Sequence, residues 1–150
     1  MRTAAEMTDL FRARGLKVTP QRELIFEVLA GAGHHPSADA VYAEARTRMP
    51  TMSLRTVYQT LNDLVDMGEL QTLDLGTGST RFDPNTDAHH HLVCNGCGKV
   101  RDLYADYSHL RVPEGAATGF VVGDAEVVFR GMCQDCKNHL NPKTREQGAD

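Results

Sequence analysis

Four cysteines in two Cys-x-x-Cys units constrain this chain more than any other feature. Cys94 and Cys97 form the first unit, Cys133 and Cys136 the second, and thirty-five residues (98–132) separate them. Two such pairs with no cysteine to spare match a closed tetrahedral zinc site of four thiolates. The competing reading, a disulfide framework, requires an oxidising compartment. The gap exceeds that of a simple zinc ribbon, so a small domain is expected between the two knuckles. The residues entering the first unit, His89-His90-His91-Leu92-Val93, add further donors. On a strand, side chains alternate, so His89 and His91 share one face while His90, Leu92 and Cys94 share the other. One short segment can then serve two metals.

At 150 residues with 41% hydrophobic content, the chain can bury one moderate core or two small ones. A second core of about fifty residues needs a staple, which structural zinc supplies as folding free energy. No apolar run reaches the length of a membrane span, and Met1–Glu6 lacks the apolar segment of a signal peptide. A cytoplasmic, membrane-free protein with reduced thiols is expected. The net charge of −4 argues against nonspecific binding to polyanions, but residues 1–22 carry five basic groups (Arg2, Arg12, Arg14, Lys17, Arg22) against two acidic ones (Glu6, Asp9). Such an arm can sit on phosphates or simply be a solvated helix face.

Met7, Leu10 and Phe11 at helical spacing before Gly15 predict a first helix over 4–14. Thr19-Pro20 is a cap followed by proline at the first helical position, and Leu24, Ile25, Val28 and Leu29 form one face. Ser37 caps a third helix with Val41, Ala45 and Met49 inward, stopped by Pro50. Ser53 opens a fourth, running to Met67, with Leu54, Val57, Leu61, Leu64 and Val65 as its apolar stripe. Its opposite face carries Arg55, Tyr58, Gln59 and Asn62, which is either an ordinary polar surface or a set that reaches base edges and phosphates. Leu70–Leu75 and Thr80–Phe82 flank Gly76-Thr77-Gly78-Ser79, a hairpin signature. Helices followed directly by a two-stranded wing describe a winged helix-turn-helix with helix 53–67 in the major groove of double-stranded DNA. The DNA-contacting set expected on this pattern is Lys17, Arg22, Ser53, Arg55, Thr56, Tyr58, Gln59 and Arg81.

Turn-rich Asp83–Asp87 marks a boundary. The fold class expected is α+β: a winged-helix domain over 1–84, a small α/β dimerisation and metal-binding domain over 85–140 with the four-cysteine zinc site, and a disordered tail over 141–150. Strands are expected at His89–Cys94, Lys99–Leu103 and Ala125–Arg130, with Phe120-Val121-Val122 as a further edge. Residues 104–118 read either as a helix or, given Pro113, Gly115 and the Gly119 that follows, as irregular chain.

Outside the thiolates, His35, Asp83, His89, His91 and Asp102 form a nitrogen and carboxylate set. Converging on one ion, they favour Fe(II) or Mn(II). Taken singly, His35 reads as a surface loop residue, Asp83 as a turn residue and Asp102 as exposed. The competing class of function is a small non-haem metalloenzyme using this cluster, but no general base or cofactor motif accompanies it, so a non-enzymatic protein is expected. A purely structural zinc protein would leave the His/Asp set idle.

The motifs Gly15–Arg22, Ser53–Leu61, His89–Val100 and Gly131–Cys136, in this order, resemble the ferric uptake regulator family of metal-responsive bacterial repressors. The resemblance covers roughly residues 8–137 and implies a homodimer, with an N-terminal winged helix and a C-terminal dimerisation domain, that binds a DNA operator. It looks closest to the peroxide-responsive branch, whose regulatory iron or manganese is held by residues that fall here on His35, Asp83, His89, His91 and Asp102. The resemblance implies Fe(II)-dependent oxidation of ligand histidines by hydrogen peroxide, at His35 and His89 by position, with Mn(II) as an alternative corepressor. Iron-responsive uptake regulators usually carry Glu at the two acidic positions; that function is the alternative, and nickel or zinc sensing stands behind it. Two departures are visible: Gln59 replaces a frequent Arg, and Asp124-Ala125-Glu126 occupies a region where the family often has a histidine of a further metal site.

Overall fold

The computed structural model describes residues 2–33, 35–123 and 125–140. The tail expected to be disordered, 141–150, lies outside the described residues. The chain divides into two compact units, Met1–Thr86 and Asp87–Asp150.

The first unit begins with α1 (Ala4–Ala13), whose start is set by a reciprocal cap: the Glu6 amide donates to Thr3 Oγ1 at 3.3 Å and the Thr3 amide donates to the Glu6 carboxylate at 2.7 Å. Two of the helix's unpaired amides are thereby satisfied. Gly15, at φ +70°, ends the turn, a conformation that a side chain would strain. The second helix, α2 (Pro20–Gly31), starts where Thr19 caps the amide of Arg22. It packs against α1, α3 (Ala38–Arg48) and α4 (Leu54–Asp66). Coverage from several sides explains why Phe26, which lies off the expected stripe, is fully buried along with Leu24, Ile25 and Leu29, while Val28 is half-buried. Phe26 meets Phe11 edge to face, with ring centroids 4.8 Å apart.

Ser37 caps α3 through the amide of Ala40, and Ser53 caps α4 through the amide of Thr56 at 3.0 Å. The buried stripe of α4 is Val57, Thr60, Leu61 and Leu64. It differs from the expected one at three positions, since Val65 is only half-buried against the core. Leu54, in the first turn, is 36% exposed, and Thr60 takes a core position because its hydroxyl donates to the Thr56 carbonyl at 2.7 Å and so leaves no polar group unmatched.

The wing is an antiparallel pair, β1 (Gln71–Leu73) and β2 (Arg81–Asp83), with Gln71 opposite Asp83. It is shorter than the hydrophobic pattern predicts, because Gly76 and Gly78 both adopt positive φ and Asp74 accepts from the Gly76 amide at 3.2 Å, so the chain leaves the ladder early. Phe82 and Leu70 fasten the wing to the helical core. The amide of Phe82 donates to the Pro36 carbonyl at 3.0 Å, and Ser37 bridges Arg81, so the entry to α3 lies along β2 as a third short strand segment.

In the second unit β3 (His90–Cys94) is central, antiparallel to β4 (Val100–Leu103) and parallel to β5 (Val128–Gly131). The expected edge at Phe120–Val122 does not form: Gly119, at φ +85°, closes a turn just before it and Gly123 follows, leaving three exposed residues with no ladder. Residues 104–118 take the irregular reading, with an Asp106 carboxylate that accepts from the Ser108 amide at 2.8 Å and turns the chain. A short helix that the sequence did not announce, α5 (Gln134–Leu140), begins inside the second cysteine pair.

Because Phe26 fills the junction of several helices, Phe26→Ala is expected to cost about 3–5 kcal/mol of stability in the first unit, read as a lower urea midpoint with unchanged zinc content.

Candidate metal centres

The four cysteine Sγ atoms lie within 4.8 Å of one another, and Cys97 Sγ is 3.8 Å from Cys133 Sγ. A tetrahedral ion with bonds of about 2.3 Å separates its sulfurs by ~3.8 Å, so the cluster has the dimensions zinc requires. All four are free thiols, which sets aside the disulfide reading. The two knuckles are tied by backbone as well: Asn95 donates to the Gly131 carbonyl at 2.7 Å, and Cys133 donates its amide to Cys94 Sγ at 3.2 Å. That amide is the main reason the Cys94 thiol is pulled down to about 6, while hydrogen bonds from Cys136 to the other sulfurs, Cys133 first, push its thiol up to about 12. A cluster that draws one thiol down and pushes another up through its own hydrogen bonds is one that a divalent cation can complete. Gly96 is dictated by space: a Cβ there would lie 2.9 Å from Cys136 Sγ and 3.1 Å from Met132 Sδ.

The nitrogen and carboxylate donors come in two groups. In the first unit, the Phe82–Pro36 backbone bond lays His35 beside Asp83, and His35 Nε2 is 3.5 Å from Asp83 Oδ2. Asp83 is fully buried; its carboxylate also accepts from the Asn85 amide at 2.7 Å and from Gln71 Nε2 at 3.2 Å. In the second unit, His89 and His91 are buried on one face of the strand with ring centroids 4.5 Å apart, and β4 sets Asp102 opposite His91. His89 Nε2 is 3.5 Å from Asp102 Oδ1. Tyr104 stacks on His89 and donates to Asp102 Oδ2 at 3.1 Å.

Both strand histidines are oriented through Nδ1. His89 Nδ1 lies 2.7 Å from the Asp87 carbonyl, which can only accept, so the proton sits on Nδ1 and Nε2 carries the lone pair. His91 Nδ1 lies 2.5 Å from Glu126 Oε1. The separations of 3.5 Å in His35–Asp83 and His89–Asp102 exceed a good hydrogen bond and approach the ~3.0–3.4 Å expected of two donors bonded at about 2.1 Å to one ion. Donor type, burial and lone-pair direction therefore fit a divalent cation better than a hydrogen-bonded core. Glu126 and Tyr104 escaped the sequence reading, since nothing local links position 126 to position 91.

Among the residues expected to face DNA, Arg55, Tyr58 and Gln59 are exposed on α4, and Lys17 is exposed between α1 and α2. Ser53 and Thr56 are committed to the cap, their hydroxyls 2.7 Å apart. Arg81 is half-buried, with Nε donating to Thr77 Oγ1 at 3.4 Å within the wing loop. Arg22 is held inside the unit: it donates to Asp63 at 2.7 Å and to the Lys17 carbonyl at 3.1 Å, and lies over the Phe11 ring, with its side chain only 12% exposed. Its structural task is to strut α2 against α4.

Replacing Gly96 by Ala is expected to displace Cys136 and lower bound zinc to well under one equivalent, measured by metal analysis of the purified protein; a serine at Cys94 should do the same.

The family model described as the ferric uptake regulator family matches residues 13–130. The peroxide operon regulator of Bacillus subtilis is 34% identical over 137 residues, 91% of this chain and 94% of that protein. Among solved structures, the ferric uptake regulator of Vibrio cholerae shares 31% identity with a TM-score of 0.65, covering 84% of this chain and 98% of that one. The peroxide-sensing regulator PerR of Streptococcus pyogenes shares 30% identity with a TM-score of 0.52, covering 91% and 94%. With a family model spanning most of its length, this chain belongs to the ferric uptake regulator family of metal-responsive transcriptional regulators.

Proposed function

We propose that this protein is a dimeric, metal-dependent DNA-binding repressor that senses hydrogen peroxide. In this reading Cys94, Cys97, Cys133 and Cys136 hold a structural zinc, and His35, Asp83, His89, His91 and Asp102 are the ligands of one regulatory Fe(II) or Mn(II). The observation that carries it is the pair of buried His/Asp contacts, His35–Asp83 and His89–Asp102, built without sulfur in a chain that also holds a separate thiolate cluster. Nitrogen and carboxylate oxygen suit iron and manganese, whereas four thiolates suit zinc, so one chain keeps two metals apart by donor chemistry. The peroxide branch is favoured by relatives named as peroxide regulators and by aspartate at both acidic positions.

The residues of the chain divide the work. The Asp87 carbonyl fixes the tautomer of His89, Tyr104 covers its ring, and the Asn85 amide and Gln71 hold the Asp83 carboxylate in place. Iron(II) held by these residues would promote reductive cleavage of the peroxide O–O bond, with peroxide as the oxidant, one oxygen atom going to a ligand imidazole and the other leaving as water, whereas Mn(II) would leave the histidines unmodified. Oxidation of His35 or His89 removes a good nitrogen donor and weakens the set. Ligands drawn from both units link ion occupancy to the DNA-reading helix, α4. A dimer then offers two such helices to half-sites spaced by about one helical turn or a multiple, ~34–36 Å. Moving a 1:99 population of the DNA-competent arrangement to 99:1 requires about 5.5 kcal/mol of differential ion affinity.

Loading the zinc protein anaerobically with Fe(II) or Mn(II), titrating duplex operator and then adding peroxide tests the reading. Peroxide is expected to abolish binding by the iron form only, with one oxygen atom added to His35 or His89 in peptide mass maps. Unmodified histidines and unchanged binding would instead identify an iron-level regulator, and binding indifferent to either metal would refute both. Arg55→Ala is expected to weaken operator binding by about 1–3 kcal/mol without altering metal content; equal affinity in a binding titration would remove Arg55 from the interface.

A further inference from the structure

We infer that Glu126 is a positioning residue for the regulatory metal, acting through His91: its carboxylate accepts the Nδ1 proton of His91 and so fixes the ring with Nε2 as the metal-binding nitrogen. This rests on His91 being a ligand, as proposed above. The placement is built by the backbone. His91 donates its amide to the Val127 carbonyl at 3.1 Å, and Val127 donates its own amide to His90 Nδ1 at 3.2 Å. These two bonds seat the entry to β5 against β3, and Glu126 Oε1 comes to 2.5 Å from His91 Nδ1.

The two histidines on this strand face are thereby treated differently. His89 leans on a neutral carbonyl, that of Asp87, whereas His91 leans on an anionic carboxylate. A carboxylate on the far nitrogen of an imidazole locks its tautomer and raises the basicity of the nitrogen that faces the metal, and loss of such a partner commonly lowers affinity by about 10–100-fold. The His91 ring is buried, with its side chain 2% exposed, so it has little room to turn, while the Glu126 side chain is 41% exposed. Glu126 is not itself a ligand in this arrangement: it occupies the side of the ring away from Nε2.

The test uses the full-length zinc-loaded protein with Mn(II) as the probe, free Mn(II) being followed by electron paramagnetic resonance. Glu126→Ala is expected to weaken Mn(II) binding by roughly 10–100-fold and Glu126→Gln by several-fold, since an amide oxygen still accepts the bond without the charge. Zinc content should stay at one equivalent in both variants. Nitrogen NMR of the imidazoles, recorded without Mn(II), should show His91 protonated on Nδ1 in the parent protein and shifted towards the Nε2–H form in Glu126→Ala. Unchanged Mn(II) affinity and an unchanged His91 tautomer in the variants would overturn the inference; if Glu126→Ala fails to retain zinc, the glutamine variant alone decides. His91→Ala separates the two levels of the argument. Loss of Mn(II) binding there with unaffected Glu126 variants removes only the role of Glu126, whereas retained binding removes His91 as a ligand and the inference with it.

Discussion

Four sulfurs held within 4.8 Å of one another are tolerable as thiolates only around a cation, and the second unit depends on that requirement. Its buried apolar residues, among those described, are Val93, Cys94 and Val100, against a core in the first unit that runs from Met7 to Phe82. A three-stranded sheet with so little to bury cannot rest on the hydrophobic effect alone. The sulfur cluster joins the turn after β3 to the end of β5, and the bond from Asn95 to Gly131 closes the same junction through backbone. Without the cation that junction loses the four metal–sulfur bonds that close it. The first unit has the opposite economy: it is held by packing, with Phe11, Phe26, Leu61 and Phe82 in a single cluster.

From that anchor the ligand positions follow by strand geometry. Because alternate residues share a face, fixing Cys94 and Val93 in the sheet also fixes His91 and His89. The antiparallel register then decides which residue of β4 comes near them, and it selects Asp102. His35 and Asp83 meet by another route, through a backbone bond between a loop and a wing strand. Each pairing joins residues that are distant in sequence by means of main-chain hydrogen bonds, so the donor positions are set by the ladder rather than by flexible side chains.

This also explains which parts could be read without coordinates. Thr19-Pro20, Ser37 and Ser53 act as caps within three residues of themselves, and the hairpin carries its turn in its own glycines; such local signals survive in the one-dimensional pattern. The cysteine spacing and the His89/His91 alternation are legible for the same reason. What escaped depends on partners elsewhere. Phe26 is buried because α2 is covered by three other helices, Thr60 because its hydroxyl finds a carbonyl one turn back, and Glu126 matters only through the parallel pairing of β5 with β3. Conversely, Phe120–Val122 has the composition of a strand but no ladder to join, and composition alone cannot supply one.

The basic groups of the first unit illustrate how structure divides residues that a charge count treats alike. Arg22 and Arg55 both look available in sequence, yet Arg22 is sandwiched between Phe11 and Asp63 while Arg55 is exposed on the first turn of α4. The strut matters to the exposed residue, because Asp63 belongs to the same helix: holding Asp63 against α2 limits rotation of α4 about its axis and so fixes the direction in which Arg55, Tyr58 and Gln59 point. In a chain with net charge −4, attraction to phosphate is local, and its value depends on orientation more than on quantity. An arginine tied to Asp63 inside the unit can therefore serve recognition by holding steady the face that carries Arg55, Tyr58 and Gln59.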